Sequence, residues 1–174
     1  MMPLVRRIRP TDAPGLREVR LRALRSDPDA FGSSYEREVD RPSDAWDTRA
    51  QESSLGSNQC VFVAETQSGF VGMAGAHTRD EEPFVRHLYG MWVAPEARSI
   101  GVVTQLVEAI IQWATEAAAH ELQLGVVDGN QPARRLFART GFVPTGHAQP
   151  LPSNPARTET LMRLLLDSEP NPIS

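Results

Sequence analysis

With 174 residues, of which 40% are hydrophobic and 23% charged, the chain is long enough to bury a sizeable core and too apolar to be a disordered tail. All 18 cationic side chains are arginine against 22 Asp and Glu, and the formal net charge of -4 argues against broad electrostatic binding to nucleic acid. No run of about 18 apolar residues occurs, and Arg6, Arg7 and Arg9 are not followed by a signal-peptide stretch, so the expectation is a single cytoplasmic domain with no membrane partner, monomer or homodimer.

In chain order, Leu4 to Ile8 alternates weakly and predicts a strand that ends at Pro10. Thr11 or Asp12 then caps a helix with Leu16, Val19, Leu21, Ala23 and Leu24 on its apolar face, which stops near Asp27 and Pro28. A polar, irregular stretch through Ser33 and Ser34 leads to Ser43, the expected cap of a short helix carrying Trp46. Cys60 to Glu65 and Phe70 to His77 predict a hairpin turning at Gln67, Ser68 and Gly69. The one cysteine, Cys60, lies beside Val61, Phe62 and Val63 and reads as core, with no internal disulfide available to it.

A third strand, Val85 to Val93, stops at Ala94 and Pro95, after which the period changes. Val102, Leu106, Ala109, Ile110 and Trp113 fall three and four apart, opposite Glu108, Gln112 and Glu116, as in an amphipathic helix of roughly five turns. Leu122 to Val127 predicts a strand, and Asp128, Gly129 and Asn130 a turn into a helix with Pro132 in its first turn and Gly141 at its C-terminal cap. Phe142 to Gly146 and Thr158 to Leu166 supply two last strands, joined by a loop containing Pro150, Pro152 and Pro155. The plan is mixed α/β with one helical crossover, between Val93 and Leu122.

The junction from the strand Leu88 to Val93, through residues 94–98, to a helix opening near Gly101 carries the chemistry. A helix start offers unpaired NH groups and the positive end of the macrodipole to a phosphate. At Gly101 a side chain would impede close backbone approach, and Arg98 adds positive charge at the rim. The alternative at this point is a surface arginine and an ordinary helix-opening glycine.

Met91-Trp92-Val93-Ala94-Pro95-Glu96-Ala97-Arg98-Ser99-Ile100-Gly101 resembles the central motif of the GNAT acetyltransferases, in which Arg or Gln is followed by two residues, Gly, one residue and then Gly or Ala. Arg98 and Gly101 match, whereas Val103 replaces the final small residue and Ser99 a frequent glycine. Downstream, Asn130, Ala133, Leu136, Phe137, Gly141 and Phe142 resemble the family's Asn-x-x-Ala-x-x-Leu-Tyr-x-x-x-Gly-Phe segment. The resemblance implies a mostly antiparallel sheet of about seven strands flanked by helices, with a splayed central strand pair. It also implies acetyl-CoA as cosubstrate and a primary amine of a small molecule, peptide or protein as acceptor. The alternative function is an acyl-CoA-binding sensor or interaction module without turnover.

By that resemblance, backbone groups of Met91, Trp92 and Val93 bond the pantetheine arm. NH groups of Ser99, Ile100, Gly101, Val102, Val103 and Thr104 hold the pyrophosphate, and Asn130 touches the arm unless it serves only as a turn or cap residue. The family's usual leaving-group acid, a tyrosine, is Phe137 here and cannot donate a proton. Many relatives carry a basic glutamate six residues before the position of Val93, where His87 stands, and others carry one on the next strand, where Gly125 stands. Imidazole titrates near neutral pH, so His87 is a candidate base. Strand alternation places His87, Tyr89 and Met91 on one face, making Tyr89 a candidate proton donor or acceptor ligand. His77, His120 and His147 lack metal-ligand spacing, and no metal is expected.

Overall fold

Between residues 60 and 64 successive side chains point to opposite faces of a strand, and each set finds its own core. Cys60 and Ala64 join one buried cluster, Val61 and Val63 the other. The computed structural model describes residues 2–166, except for the side chains of residues 99 and 100. In chain order the elements are β1 (Leu4–Arg7), α1 (Ala13–Ser26), α2 (Tyr35–Glu38), α3 (Ser43–Ser54), β2 (Gln59–Thr66), β3 (Gly69–Arg79), β4 (Glu82–Val93), α4 (Val102–Glu116), β5 (Glu121–Val127), α5 (Gln131–Arg139), β6 (Val143–Leu151) and β7 (Asn154–Leu165). Short 3-10 turns occupy Pro10–Asp12, Pro28–Ala30 and Pro95–Ile100.

The strands form one seven-stranded sheet in the order β1-β2-β3-β4-β5-β7-β6, with helices on both faces. Every pairing is antiparallel except β4 with β5, the pair spanned by the α4 crossover. On one face, Val102, Leu106, Val107, Ile110, Trp113 and Ala114 of α4 are buried against Ala74, Ala76, Leu88 and Val93. Fully burying each large apolar side chain contributes about 1.5–3 kcal/mol. On the other face, α1 and α3 cover Val61, Val63, Met73 and Trp92.

Several boundaries differ from the sequence expectation. The helix carrying Trp46 begins at Ser43 with Pro42 as its cap, so Ser43 is a first-turn residue. The stretch before it contains α2, whose cap Ser34 accepts a hydrogen bond from the Arg37 NH at 3.3 Å. The 15 residues of α4 make about four turns, not five. The proline-bearing loop is instead the closing end of a hairpin, because β6 runs on to Leu151 and β7 starts at Asn154. As the edge strand, β6 leaves one side unpaired and so tolerates Pro144 and Pro150, and the register slips beside both.

One irregularity in β4 matters for everything downstream. Gly75 pairs with Tyr89 and Met73 with Trp92, so a single residue of β3 faces both Gly90 and Met91 of β4. Gly90 sits at φ +63°, a conformation that favours glycine, and a Cβ there would lie 3.1 Å from Arg20 Nη1. The extra residue reverses the alternation. Met91, expected on the face of His87 and Tyr89, packs instead with the core beneath α4, and Trp92 takes the opposite face.

Among the described residues no helix is long and apolar enough to cross a membrane. Replacing Gly90 by alanine should cost about 1–2 kcal/mol, since an L side chain resists the left-handed region. Urea denaturation measures this, and a Gly90→Ala protein as stable as the parent would show that the bulge does not need the glycine.

Candidate active site

Parallel strands β4 and β5 are paired only at Val85 with Glu121, Arg86 with Leu122 and His87 with Gln123. Beyond that point β4 stays with β3 and β5 with β7, so the facing edges of β4 and β5 are not bonded to each other. A cavity of about 470 Å³ opens where they part, lined by Tyr89, Gly90 and Met91 from one side and by Gly125, Val126 and Val127 from the other. Its lining is completed by Phe31 and Ser33 after α1, Asn130 at the start of α5, Phe137 of α5, and Leu151 and Glu159 of the last hairpin.

On the α1 side of the sheet three rings lie together. His77 and His87 stack at 5.6 Å between centroids, and Tyr89 tilts against His77 at 5.4 Å. Tyr89 fits because Gly75 faces it: a Cβ at Gly75 would come within 2.6 Å of the phenol ring. His87 Nε2 lies 2.9 Å from Glu82 Oε2. Burial, then the Arg79 charge, hold the His87 imidazole below its ordinary 6.5, against the opposing pull of Glu82. The neutral ring that donates Nε2–H to Glu82 keeps its lone pair on Nδ1. His77 is lowered as well, by burial, by His87 and by Arg79. Neither His77 nor Glu82 stood out in the sequence, where the strand register that stacks the two histidines is not visible.

At the junction into α4, the residues are arranged differently from the bare motif. Arg98 Nε donates to the Val93 carbonyl at 2.8 Å, and its Nη2 reaches Asp27 Oδ2 at 3.1 Å. The same carboxylate oxygen accepts from Trp92 Nε1 at 2.7 Å. Arg98 is therefore tied to the end of α1 while its guanidinium remains partly exposed. Gly101 is the N-cap of α4 at φ +79° and has no side chain with which to satisfy the first-turn NH groups. Among the described residues, nothing lies within 4 Å of where its Cβ would be. The approach to the NH groups of Val102, Val103 and Thr104 is thus unobstructed by residue 101, as a bound pyrophosphate requires. The side chains of Ser99 and Ile100 lie outside the described residues.

Of the residues singled out from sequence, the cavity brings together His87, Tyr89, Met91 and Asn130. Trp92, Val93, Arg98 and Gly101 to Thr104 do not line it and form the adjoining junction. Asn130 caps α5, its Oδ1 accepting from the Ala133 NH at 3.2 Å. Phe137 is buried, edge-on to Phe142 at 5.7 Å between centroids. Cys60 is fully buried, and burial pushes its thiol up to about 12, which removes it as a nucleophile at neutral pH. One lining carboxylate had no local sequence signal: Glu159 of β7, whose side chain reaches diagonally across the antiparallel β5–β7 pair to lie over Gly125. Among the described residues, no group of three or more His, Cys, Asp or Glu is placed to hold a metal ion.

The sequence model of the acetyltransferase (GNAT) family matches residues 21–142. N-acetyltransferase 8 of Homo sapiens is 31% identical over 105 residues, covering 58% of this chain and 45% of that protein, so the match spans under half of the relative's length. Among solved structures, an acetyltransferase of the GNAT family from Streptococcus pneumoniae superposes with a TM-score of 0.77 at 23% identity, over 94% of this chain and 99% of that one. A Salmonella typhimurium protein solved with its cofactor acetyl-CoA gives 0.77 at 19% identity, over 100% and 99%. The spermidine N-acetyltransferase of Vibrio cholerae, solved with CoA and spermine, gives 0.72 at 15%, over 94% and 95%. At these identities the structural likeness establishes the fold.

The histidine pair generates a pH dependence of stability. With both imidazoles held below 6.5 in the folded state, the unfolded chain binds more protons as the pH falls through 6.5, so folding stability declines on acidification and is fully present above that value. Denaturation midpoints at pH 7.5 and 5.5 should show a loss that shrinks in the His77→Gln/His87→Gln variant; an equal loss in both proteins would remove the pair as its source.

Proposed function

Because the chain belongs to the acetyltransferase (GNAT) family, we propose that it works as a single-domain N-acetyltransferase, moving an acetyl group from acetyl-CoA to a primary amine. The observation that carries this reading is the course of β4, which parts from β5 and leads through the Pro95–Ile100 turn to the glycine-capped start of α4. It offers unpaired strand edges for an amide-rich arm and helix NH groups for a pyrophosphate. Acetyl-CoA supplies the acetyl group as a thioester: a bond forms between the acceptor nitrogen and the carbonyl carbon, the carbon–sulfur bond breaks, and CoA leaves as a thiol.

In this reading the backbone of Met91, Trp92 and Val93 holds the pantetheine arm and polarises the carbonyl. The NH groups of residues 99–104 bind the pyrophosphate, and Arg98 sets the loop's shape through Val93 and Asp27. Asn130 borders the arm while capping α5. A primary amine is mostly protonated at neutral pH, so the attacking nitrogen must first lose a proton. His87 Nδ1 accepts it, its ring oriented by Glu82. Tyr89, on the same face, supplies the proton that the leaving sulfur takes and is reprotonated by the second proton that the nitrogen loses as the amide forms, a role that Phe137 cannot fill.

Calorimetry with acetyl-CoA should give a Kd on the order of 1–100 μM, in the range usual for enzyme substrates, and no binding at millimolar concentration would sink the reading. Thiol release should then accelerate with at least one of spermidine, lysine, glucosamine or a peptide with an amino-terminal alanine. Binding without any acceleration would favour a non-catalytic acyl-CoA-binding module. His87→Ala should lower kcat/KM about 100-fold at pH 7 and much less near pH 10, where the amine is already deprotonated. A pH–rate profile identical to that of the parent would reject His87 as the base.

A further inference from the structure

The carboxylate over Gly125 has no function in the scheme above, and its surroundings point to one. Glu159 is the single acidic residue among those lining the cavity. Among the described residues it has no arginine partner. Gln149 Nε2 donates to its Oε1 at 2.6 Å, which orients the group without neutralising it. Oε2 and Cδ are the atoms turned over Gly125, and a Cβ at that position would lie 2.6 Å from Cδ. A side chain at 125 and the Glu159 carboxylate in its present place therefore exclude one another.

The lining cations are otherwise accounted for. Arg20 is paired with Glu38 at 3.1 Å, and Arg79 lies 3.8 Å from Glu82. Glu159 also stands on the correct side of the sheet. Leu124 and Met162 face the core under α4, so the alternate positions Gln123, Gly125 and Glu159 face the side that carries His87 and Tyr89. A half-buried carboxylate with no protein cation among the described residues, set on a cavity wall, leaves its charge to water or to a cation that enters from outside.

We propose that Glu159 is the acceptor-binding residue: its carboxylate receives the ammonium group of a cationic amine on the His87 and Tyr89 side of the cavity, taking over from β7 a place that Gly125 leaves open on β5. This rests on the acetyltransferase reading and narrows its acceptor to amines that arrive protonated. Glu159 collects the ammonium, and the proton then passes to His87 as described above.

The test compares wild type, Glu159→Gln, Glu159→Ala and the double variant Gly125→Glu/Glu159→Ala, with spermidine, lysine and the alanine peptide as acceptors. Glu159→Gln should raise the KM of each acceptor that wild type uses at least tenfold, with kcat changed less than threefold and acetyl-CoA affinity within twofold of wild type. The double variant returns a carboxylate to the same space from β5 and should recover most of the KM lost in Glu159→Ala. Thermal melts and acetyl-CoA calorimetry report the fold of each protein. An unchanged acceptor KM in Glu159→Gln, or a double variant no better than Glu159→Ala, overturns the assignment while leaving the acetyltransferase reading intact. Should wild type bind acetyl-CoA yet use none of these amines, nor glucosamine, both fall together.

Discussion

The β4–β5 pair is held for three residue pairs and then released, and the rest of the molecule is organised around that release. A sheet does not open in its middle without cause, because every unpaired NH and carbonyl forfeits a hydrogen bond. Here the cause lies in β4. The bulge at Gly90 and Met91 adds a residue against β3, which bends the strand and increases its local twist. β4 then follows β3 toward the α4 junction, and β5 turns away with β7. The opening thus follows the strand pairing: β4 keeps β3 and β5 keeps β7 beyond the point where the two part.

Buried charge keeps the opening in place from the α1 side. Arg20 of α1 binds Glu38 of α2, which Arg49 of α3 also approaches at 3.5 Å, and the Arg20 guanidinium lies 4.8 Å over the Phe31 ring. Among the described residues Arg20 Nη1 has no hydrogen-bond partner, and it lies where a Cβ of Gly90 would be contacted. Burial lowers the Arg20 pKa, with Arg49 adding to the effect and Glu38 opposing it. Such a pair adds little net stability, yet removing one member strands a charge, so its contribution is to fix where α1, α2 and α3 sit relative to the bulge. Asp27, at the end of α1, extends this control to the other end of β4 by accepting from both Trp92 and Arg98.

What the sequence made legible is what depends on short-range pattern. The α4 stripe, the helix stop at Gly141 and the succession of strands and helices along the chain came from periodicity and turn residues within a dozen positions of one another. The junction from Met91 to Thr104 was visible because a strand, a glycine and a helix start occur in close succession. The side of the sheet on which Met91 falls was not visible, since a bulge is a mismatch between two strands and β4 alone does not reveal which residue is extra. Pro150 of the last hairpin misled for a related reason: its acceptability depends on β6 being an edge, which is a fact about the whole sheet.

The same distinction applies to the chemistry. Considered strand by strand, Gly125 is a loss, a site without the side chain that acid–base chemistry there would use, and Glu159 is an acidic residue on a later strand with no motif around it. The β5–β7 register makes them one feature, because an antiparallel neighbour two positions along reaches across the pair. The glycine is what gives the carboxylate room, just as Gly75 gives room to Tyr89 on the other side of the cavity. Both glycines yield their space to a side chain from an adjacent strand. Two polar side chains of this cavity wall, Tyr89 and Glu159, are therefore set by pairs of positions, one emptied and one filled, and the emptied member is as informative as the filled one.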